Sequence, residues 1–343
     1  MTTTAEHSRS TLAELSPGSF SIVMATGIIS VGLDLIAHRS GSAILFLVAA
    51  IAYVVLVALN ALRLGRHRSR VVADLRDPRS AFGFFTFVAG TNVLATRIAL
   101  EGWYAAAGVL LAVALLTWTV LGYVVPWLAV VGDTERPVHE AANGTWFVWV
   151  VASQSIAVTA AGLEPVTTSS LRSGLAVVSV LSWSVGVFLY AASAIFVSLR
   201  LMSGQLRPNE LDPHYWVSMG ALAITVLAGA RIVEMESTPL VDVTRGLVAG
   251  SSVVFWCFAT WLIPVLVAMG WWRHVVHRVP LRYEPGLWSI VFPLGMYAVS
   301  GIYLGRADRL PIIEWIGSHW IWLAVAAWLL VIVAMARQAV SRR

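Results

Sequence analysis

Lysine is absent from this 343-residue chain; all twenty-three basic residues are arginine. They fall in short breaks between apolar runs, where the orientation of a membrane protein explains them better than nucleic-acid binding does. Cysteine is almost absent as well. Cys257 stands alone in an apolar run, which excludes an internal disulfide and a cysteine-based metal site. Charge is scarce: 12% of residues are charged and 58% hydrophobic, against roughly a quarter charged in soluble domains. The eight histidines (His7, His38, His67, His139, His214, His274, His277, His319) sit at the ends of apolar runs or between them. A haem inside a helical bundle needs paired histidines within it, so that class is excluded. No HExxH, no intramembrane Asp–His pair and no Ser–His–Asp set occurs. No catalytic residue is therefore assigned, and neither metal nor cofactor is expected. The first fifteen residues lack an apolar run with a cleavage site, so no signal peptide is expected.

What the chain does have is ten apolar segments. They run Ser16–Ala37, Ser42–Leu64, Ser80–Leu100, Tyr104–Val131, Ala141–Gly162, Leu171–Leu201, Pro213–Val233, Thr244–Trp272, Gly286–Gly305 and Trp315–Ala336. Each is long enough to cross a bilayer as a helix. This predicts a membrane body over 16–337, with tails 1–15 and 338–343. Sixteen of the twenty-three arginines fall on one side if both termini lie there. The positive-inside bias places that side in the cytoplasm, with the chain in the cell membrane. The cluster Arg63–Arg79 reads as part of this signal.

Odd and even segments differ in kind. The even ones are nearly pure Ala, Val, Leu, Ile and Trp. The odd ones repeat a pattern of aromatic, small and hydroxyl residues: FSIVMATGIIS from Phe20, FFTFVAGTNVLA from Phe84, WFVWVVASQSIAV from Trp146, WVSMGALAITVLA from Trp216 and WSIVFPLGMYAVS from Trp288. This is a long repeat of the helical-hairpin kind. Together these features predict an all-α integral membrane protein. Its ten helices form five hairpins in a pseudo-five-fold ring, with the odd helices inside lining a pore.

The polar residues in the middle of the odd segments are uncharged. The candidates for pore lining are Thr26, Ser30, Thr91, Asn92, Ser153, Gln154, Ser218, Thr225, Ser289 and Ser300. Hydroxyl and amide donors without fixed charge suit weak, fast passage of a dehydrated anion. The plain alternative is that each hydroxyl bonds back to its own helix. Near the opposite ends, Asp34, Arg97 and Arg231 are vestibule candidates. Arg97 either draws anions in or holds Asp34 or Glu101, four residues on. In the ninth segment Phe292 precedes Pro293. A proline at membrane depth frees backbone groups that protein or water must satisfy. A kink there would turn Phe292 toward an axis, making the pair a candidate gate.

The segments GSFSIVMATGIIS, DPHYWVSMGALAI and LWSIVFPLGMYAVS carry a resemblance. The chain resembles the tellurite-resistance and C4-dicarboxylate transporter family, which includes plant slow anion channels, fungal malate permeases and sulfite efflux pumps. The resemblance implies a pore within each subunit, occlusion by the phenylalanine before the proline (here Phe292) and assembly as a homotrimer. It implies small anions of the chloride, nitrate, malate or sulfite class as partners, besides the lipid bilayer. Against the plant channels, long phosphorylatable cytoplasmic tails are not expected here, nor is kinase gating of the plant kind. The first reading is a gated anion conduit, with Phe292 as gate and the odd-helix donors as lining. The second is a proton-coupled dicarboxylate carrier, or an efflux system for sulfite or tellurite, for which Asp34, His139, Glu140 and His214 are the titratable candidates. A membrane-embedded enzyme or a structural scaffold is the third, and the lack of a buried acid–base or metal constellation argues against the enzyme.

Overall fold

The computed structural model describes residues 12–131, 141–203, 207–236 and 238–341. Among these the protein is all helical, with ten helices long and apolar enough to cross a membrane. We number them α1 (Ser21–Leu35), α2 (Arg39–Arg66), α3 (Phe85–Leu100), α4 (Tyr104–Val131), α5 (Phe147–Leu163), α6 (Ser169–Ser203), α7 (Val217–Val233), α8 (Pro239–Trp271), α9 (Trp288–Ala307) and α10 (Pro311–Ser341). Each odd helix packs along the even helix that follows it, giving five hairpins. The odd helices also pack on one another in the cyclic order α1, α3, α5, α7, α9 and back to α1. Burial separates the two sets. Between 67% and 89% of the most apolar window of each odd span is buried, against 17% to 33% for the even spans. Lipid is as apolar as leucine, so the bare hydrocarbon helices suit the outside. Small residues let the inner helices approach closely.

Every inner helix is entered through a 3₁₀ turn: Pro17–Phe20, Ala81–Phe84, Gly144–Trp146, Pro213–Trp216 and Pro285–Leu287. The local sequence dictates three of these starts. Ser16, Asn143 and Asp212 each accept a hydrogen bond from a backbone N–H two residues on, at 3.2, 2.8 and 2.9 Å. Such caps satisfy N–H groups that an isolated helix start leaves open. Proline follows at 17, 213 and 285, where its missing N–H costs nothing. The five turns touch in the same cyclic order as the helices and close the end of the ring where α1 begins. Gly144 shows how tight this is: a Cβ there would stand 2.1 Å from the backbone of His214. We call this end the terminal side and the opposite end the far side.

Several helices outrun their apolar segments. α8 begins at Pro239 rather than Thr244, because Thr238 caps it by accepting from Val241 N–H at 3.4 Å and Pro239 opens the first turn. α6 begins at Ser169, and α10 covers Pro311–Ser341. Apolarity marks the part of a helix that meets hydrocarbon, whereas its hydrogen bonding continues to the cap. The arginine-rich stretch after α2 holds a further short helix, Arg68–Arg76. Arg63 is 3% exposed; it pairs with Asp74 on this helix and donates to the carbonyl of Ala13 at 3.2 Å. His139 and Glu140 lie outside the described residues.

Candidate functional site

A cavity of about 270 Å³ opens on the far side of the ring. All five inner helices line it: Ile28 and Val31 from α1, Asn92 and Thr96 from α3, Ser155 and Thr159 from α5, Leu227 and Arg231 from α7, and Met296 and Tyr303 from α9. Arg231 is its only charged lining residue among those described. The guanidinium lies over the Tyr303 ring, with Cζ 5.3 Å from the centroid, and Nη1 donates to Glu234 at 3.0 Å. Its other terminal nitrogen reaches across to α5, where a Cβ on Gly162 would meet it at 3.3 Å. The arginine therefore spans the mouth. Asp34, Glu234 and Arg306 lie within electrostatic reach of Tyr303.

Below the mouth the polar lining is neutral and confined to α3 and α5. The Ser155 hydroxyl gives its proton to the carbonyl of Ala152 at 2.7 Å. Ser155 must then accept from Asn92 Nδ2, 3.0 Å away, which fixes the orientation of the amide. Asn92 Oδ1 is left buried without a hydrogen-bond partner among the described residues. One turn farther out, Thr96 and Thr159 face each other at 3.3 Å. An entering solute meets one fixed positive charge and then a largely apolar chamber with an amide and hydroxyl stripe on one wall.

Phe292 is 1% exposed and belongs to the buried core, not to the lipid face. It lies one helical turn on the terminal side of Met296, a cavity-lining residue. The spacing Phe292, Met296, Tyr303 keeps all three on one face of α9. Pro293 turns to α7, where it abuts Gly220: a Cβ on Gly220 would stand 2.8 Å from Pro293 Cγ. The chain therefore places the phenylalanine beneath the cavity and the proline against the neighbouring inner helix.

Of the other residues expected to line a path, most face elsewhere. Trp328 Nε1 on α10 donates to Thr26 Oγ1 at 3.0 Å. Thr91 gives its proton to the Phe87 carbonyl at 2.7 Å, so the Tyr53 hydroxyl on α2 donates to Thr91 at 3.0 Å. Trp118 Nε1 on α4 donates to Ser153 Oγ at 2.8 Å, and Ser153 donates to Trp149 O at 3.2 Å. Trp183 Nε1 on α6 donates to the carbonyl of Thr225 at 3.2 Å, whose hydroxyl bonds back to Ala221 O. On the remaining seam Thr260 of α8 gives its proton to Trp256 O, so the Tyr297 hydroxyl of α9 donates to Thr260 at 2.8 Å. Each even helix is thus joined to the next inner helix by one aromatic donor, five times around the ring. Gln154 donates to Trp183 O at 3.1 Å, while Ser218 and Ser300 bond back to Tyr215 O and Tyr297 O. Ser289 is buried in the first turn of α9. Only Asn92 and Arg231 of the expected lining and vestibule residues are in the cavity wall.

Ser30 and Arg97 form another unit. Ser30 and Ser42 exchange hydrogen bonds with each other's carbonyls at 2.7 and 2.8 Å. Arg97 Nε donates to Ser30 Oγ at 3.0 Å, and Nη1 pairs with Glu101 at 2.7 Å. The guanidinium also stands over the Phe46 ring, 5.1 Å from its centroid. Arg97 is held between α1, α2 and α3 and does not line the cavity. Sequence reasoning left Thr96, Thr159, Met296 and Tyr303 unassigned. The signal that finds the polar ones is spacing: Asn92 with Thr96, and Ser155 with Thr159, are i, i+4 pairs on adjacent inner helices.

A multi-pass helical protein with five inner spans around a cavity of one positive charge defines a membrane transport protein. The chain belongs to the voltage-dependent anion channel family (SLAC1), whose family model matches residues 14–336. An uncharacterised membrane protein of Mycobacterium tuberculosis, strain H37Rv, is 60% identical over 149 residues, covering 43% of this chain and 76% of that protein. An uncharacterised transporter of Methanocaldococcus jannaschii is 22% identical over 193 residues, covering 56% of this chain and 54% of its own.

Proposed function

We propose that the protein conducts small anions along the axis of its inner ring, with Phe292 closing the path below the far-side cavity. The cavity carries this reading: all five inner helices contribute to it, and among the described residues Arg231 is its only charged lining residue. A cation at the mouth of a low-dielectric chamber concentrates anions there. The neutral chamber beneath does not hold them tightly, and weak binding suits conduction. An aromatic ring across a narrow apolar passage excludes both ion and water. Pro293 follows directly and abuts Gly220, so a shift of α9 against α7 would move the ring.

The arginine bias orients the far side outward, with both termini in the cytoplasm of a cell bounded by this membrane. Substrates are of the chloride, nitrate, malate or sulfite class, and the family resemblance supports a homotrimer with one path per subunit. A proton-coupled carrier would need a titrating carboxylate or imidazole in the path. Among the described residues none lines the cavity, and Asp34 and His214 lie outside it.

Recording in planar bilayers compares wild type with Phe292→Ala. Larger anion current from the variant is expected. No current from either protein, together with saturable proton-dependent malate uptake into vesicles, overturns the channel in favour of the carrier.

A further inference from the structure

A second hollow, of about 530 Å³, lies on the terminal side, outside the ring. Its walls come from the 3₁₀ turn before α7, the end of α8 and the extended segment entering α9. Leu287 and Ile290 line it. Ile290 is two residues from Phe292, about 200° around the helix, so the hollow backs onto α9 from the side away from the central cavity. α8 packs along α7 and barely touches α9. It ends in a π turn, Trp272–Val276, which splays its last residues from the bundle. Val267 and Trp271, also on the wall, are exposed where α8 meets lipid.

Two donors on the wall of this hollow have no acceptor among the described residues. Tyr215 is 4% exposed, yet its hydroxyl has no partner among the described residues. Arg273 is 11% exposed; Nη1 donates to Leu211 O at 2.6 Å and Nη2 pairs with Glu284 at 3.6 Å, while Nε is buried without a partner. Arg282 is exposed at the rim and has no ion-pair partner among the described residues. Of the two acids on the wall, Glu284 pairs with Arg273, and Asp212 accepts from the His214 backbone N–H at 2.9 Å. A buried donor without an acceptor is costly. Here two of them share a hollow with a free cation, beside an apolar wall open to lipid at the depth where interfacial tryptophans sit.

We propose that this hollow binds an anionic phospholipid. The phosphodiester accepts from Tyr215 Oη and Arg273 Nε with Arg282 as counter-charge, and an acyl chain runs along Leu287 and Ile290. Such a lipid bridges the splayed end of α8 to the start of α9. This site is separate from the cavity proposed for anions, and its test is independent of conduction.

The full-length protein is reconstituted in phosphatidylcholine nanodiscs containing phosphatidylglycerol, and the lipid retained after ejection is read by native mass spectrometry. Wild type is expected to retain phosphatidylglycerol over phosphatidylcholine. Tyr215→Phe keeps the ring, removes the donor and weakens retention by about tenfold, the size of one lost hydrogen bond to a charged group. Arg282→Gln weakens it by about fivefold. Arg66→Gln, an exposed arginine elsewhere on the terminal side, leaves it unchanged. Equal retention of both lipids by wild type, or equal loss in all three variants, overturns the site. Release of the lipid by inorganic phosphate assigns the hollow to a free anion instead. Chain-to-chain disulfides through Leu281→Cys in a Cys257→Ser background would show a second copy covering it, and would likewise overturn the proposal.

Discussion

Gly220→Ala presses on a contact that joins α7 to the proline beside Phe292. The added methyl would stand 2.8 Å from Pro293 Cγ, 3.0 Å from Cβ and 3.2 Å from Cα. Carbon atoms settle at about 3.5–4.0 Å. The proline ring is rigid and its Cα is backbone, so α9 itself must yield. Overpacking of this kind costs about 1–3 kcal/mol, of which alanine's better helix propensity returns about 1 kcal/mol. The net loss of stability is then about 0–2 kcal/mol. The steric part acts only where α7 and α9 are this close. If the conducting form separates them, each 1.4 kcal/mol of that strain raises its population about tenfold. The assay is anion current per reconstituted protein, with thermal unfolding measured in parallel and Phe292→Ala as the ceiling. Gly108→Ala is the control, because a Cβ there meets nothing within 4 Å. The expected result is a current above wild type for Gly220→Ala and a wild-type current for Gly108→Ala. A lowered melting temperature with unchanged current would refute the link between this contact and the gate.

Arg231→Gln removes the only charge among the described residues of the cavity wall. Conductance should fall several-fold at about 0.01 M salt and approach wild type near 1 M, where the Debye length is about 3 Å; a deficit that ignores salt would contradict steering. Trp118→Phe deletes the donor to Ser153 while keeping the ring. It should destabilise the fold by about 0.6–1.7 kcal/mol, seen as a lower melting temperature without a change in anion selectivity.

The fold was legible because lipid imposes a simple rule. Helices that face hydrocarbon can be bare, and α2 and α10 are. Helices that face protein carry small and polar residues, as α1 and α5 do. The alternation of the two kinds therefore predicts the inner and outer sets. Helix ends were less legible. The start of α8 depends on Thr238 and Pro239, whose signal is a cap and not apolarity. The helix Arg68–Arg76 was hidden because its charges satisfy the topology rule without requiring any conformation. Arg97 carried two readings in the sequence, and the choice between them needed Ser30 and Ser42, which only the folded chain brings to it.

The hydroxyls teach more. Ser and Thr concentrate in the odd helices, and that enrichment suits a donor-lined path. In the fold the same residues serve the opposite face. Thr91 and Ser153 spend their protons on their own helix and offer a lone pair outward, where Tyr53 and Trp118 need an acceptor. A hydrogen-bonding partner for an aromatic N–H or O–H is worth more in hydrocarbon than in water, and at four seams the inner helix supplies the acceptor; at the α8–α9 seam the roles reverse, and Tyr297 of the inner helix donates to Thr260. Thr225 supplies its carbonyl for Trp183, and Thr26 its hydroxyl for Trp328, the bond that joins the last helix to the first. With these residues turned outward, the neutral polar side chains of the far-side cavity are Asn92, Thr96, Ser155 and Thr159 on one wall. If the passage from that cluster to Phe292 is apolar, an anion drawn in by Arg231 loses those partners on the way. Under the proposed function the barrier to conduction lies in that apolar stretch as much as in the ring itself. Phe292→Ala shortens the stretch without making it polar, so a polar replacement, Phe292→Thr, should pass more current than Phe292→Ala although its side chain is larger.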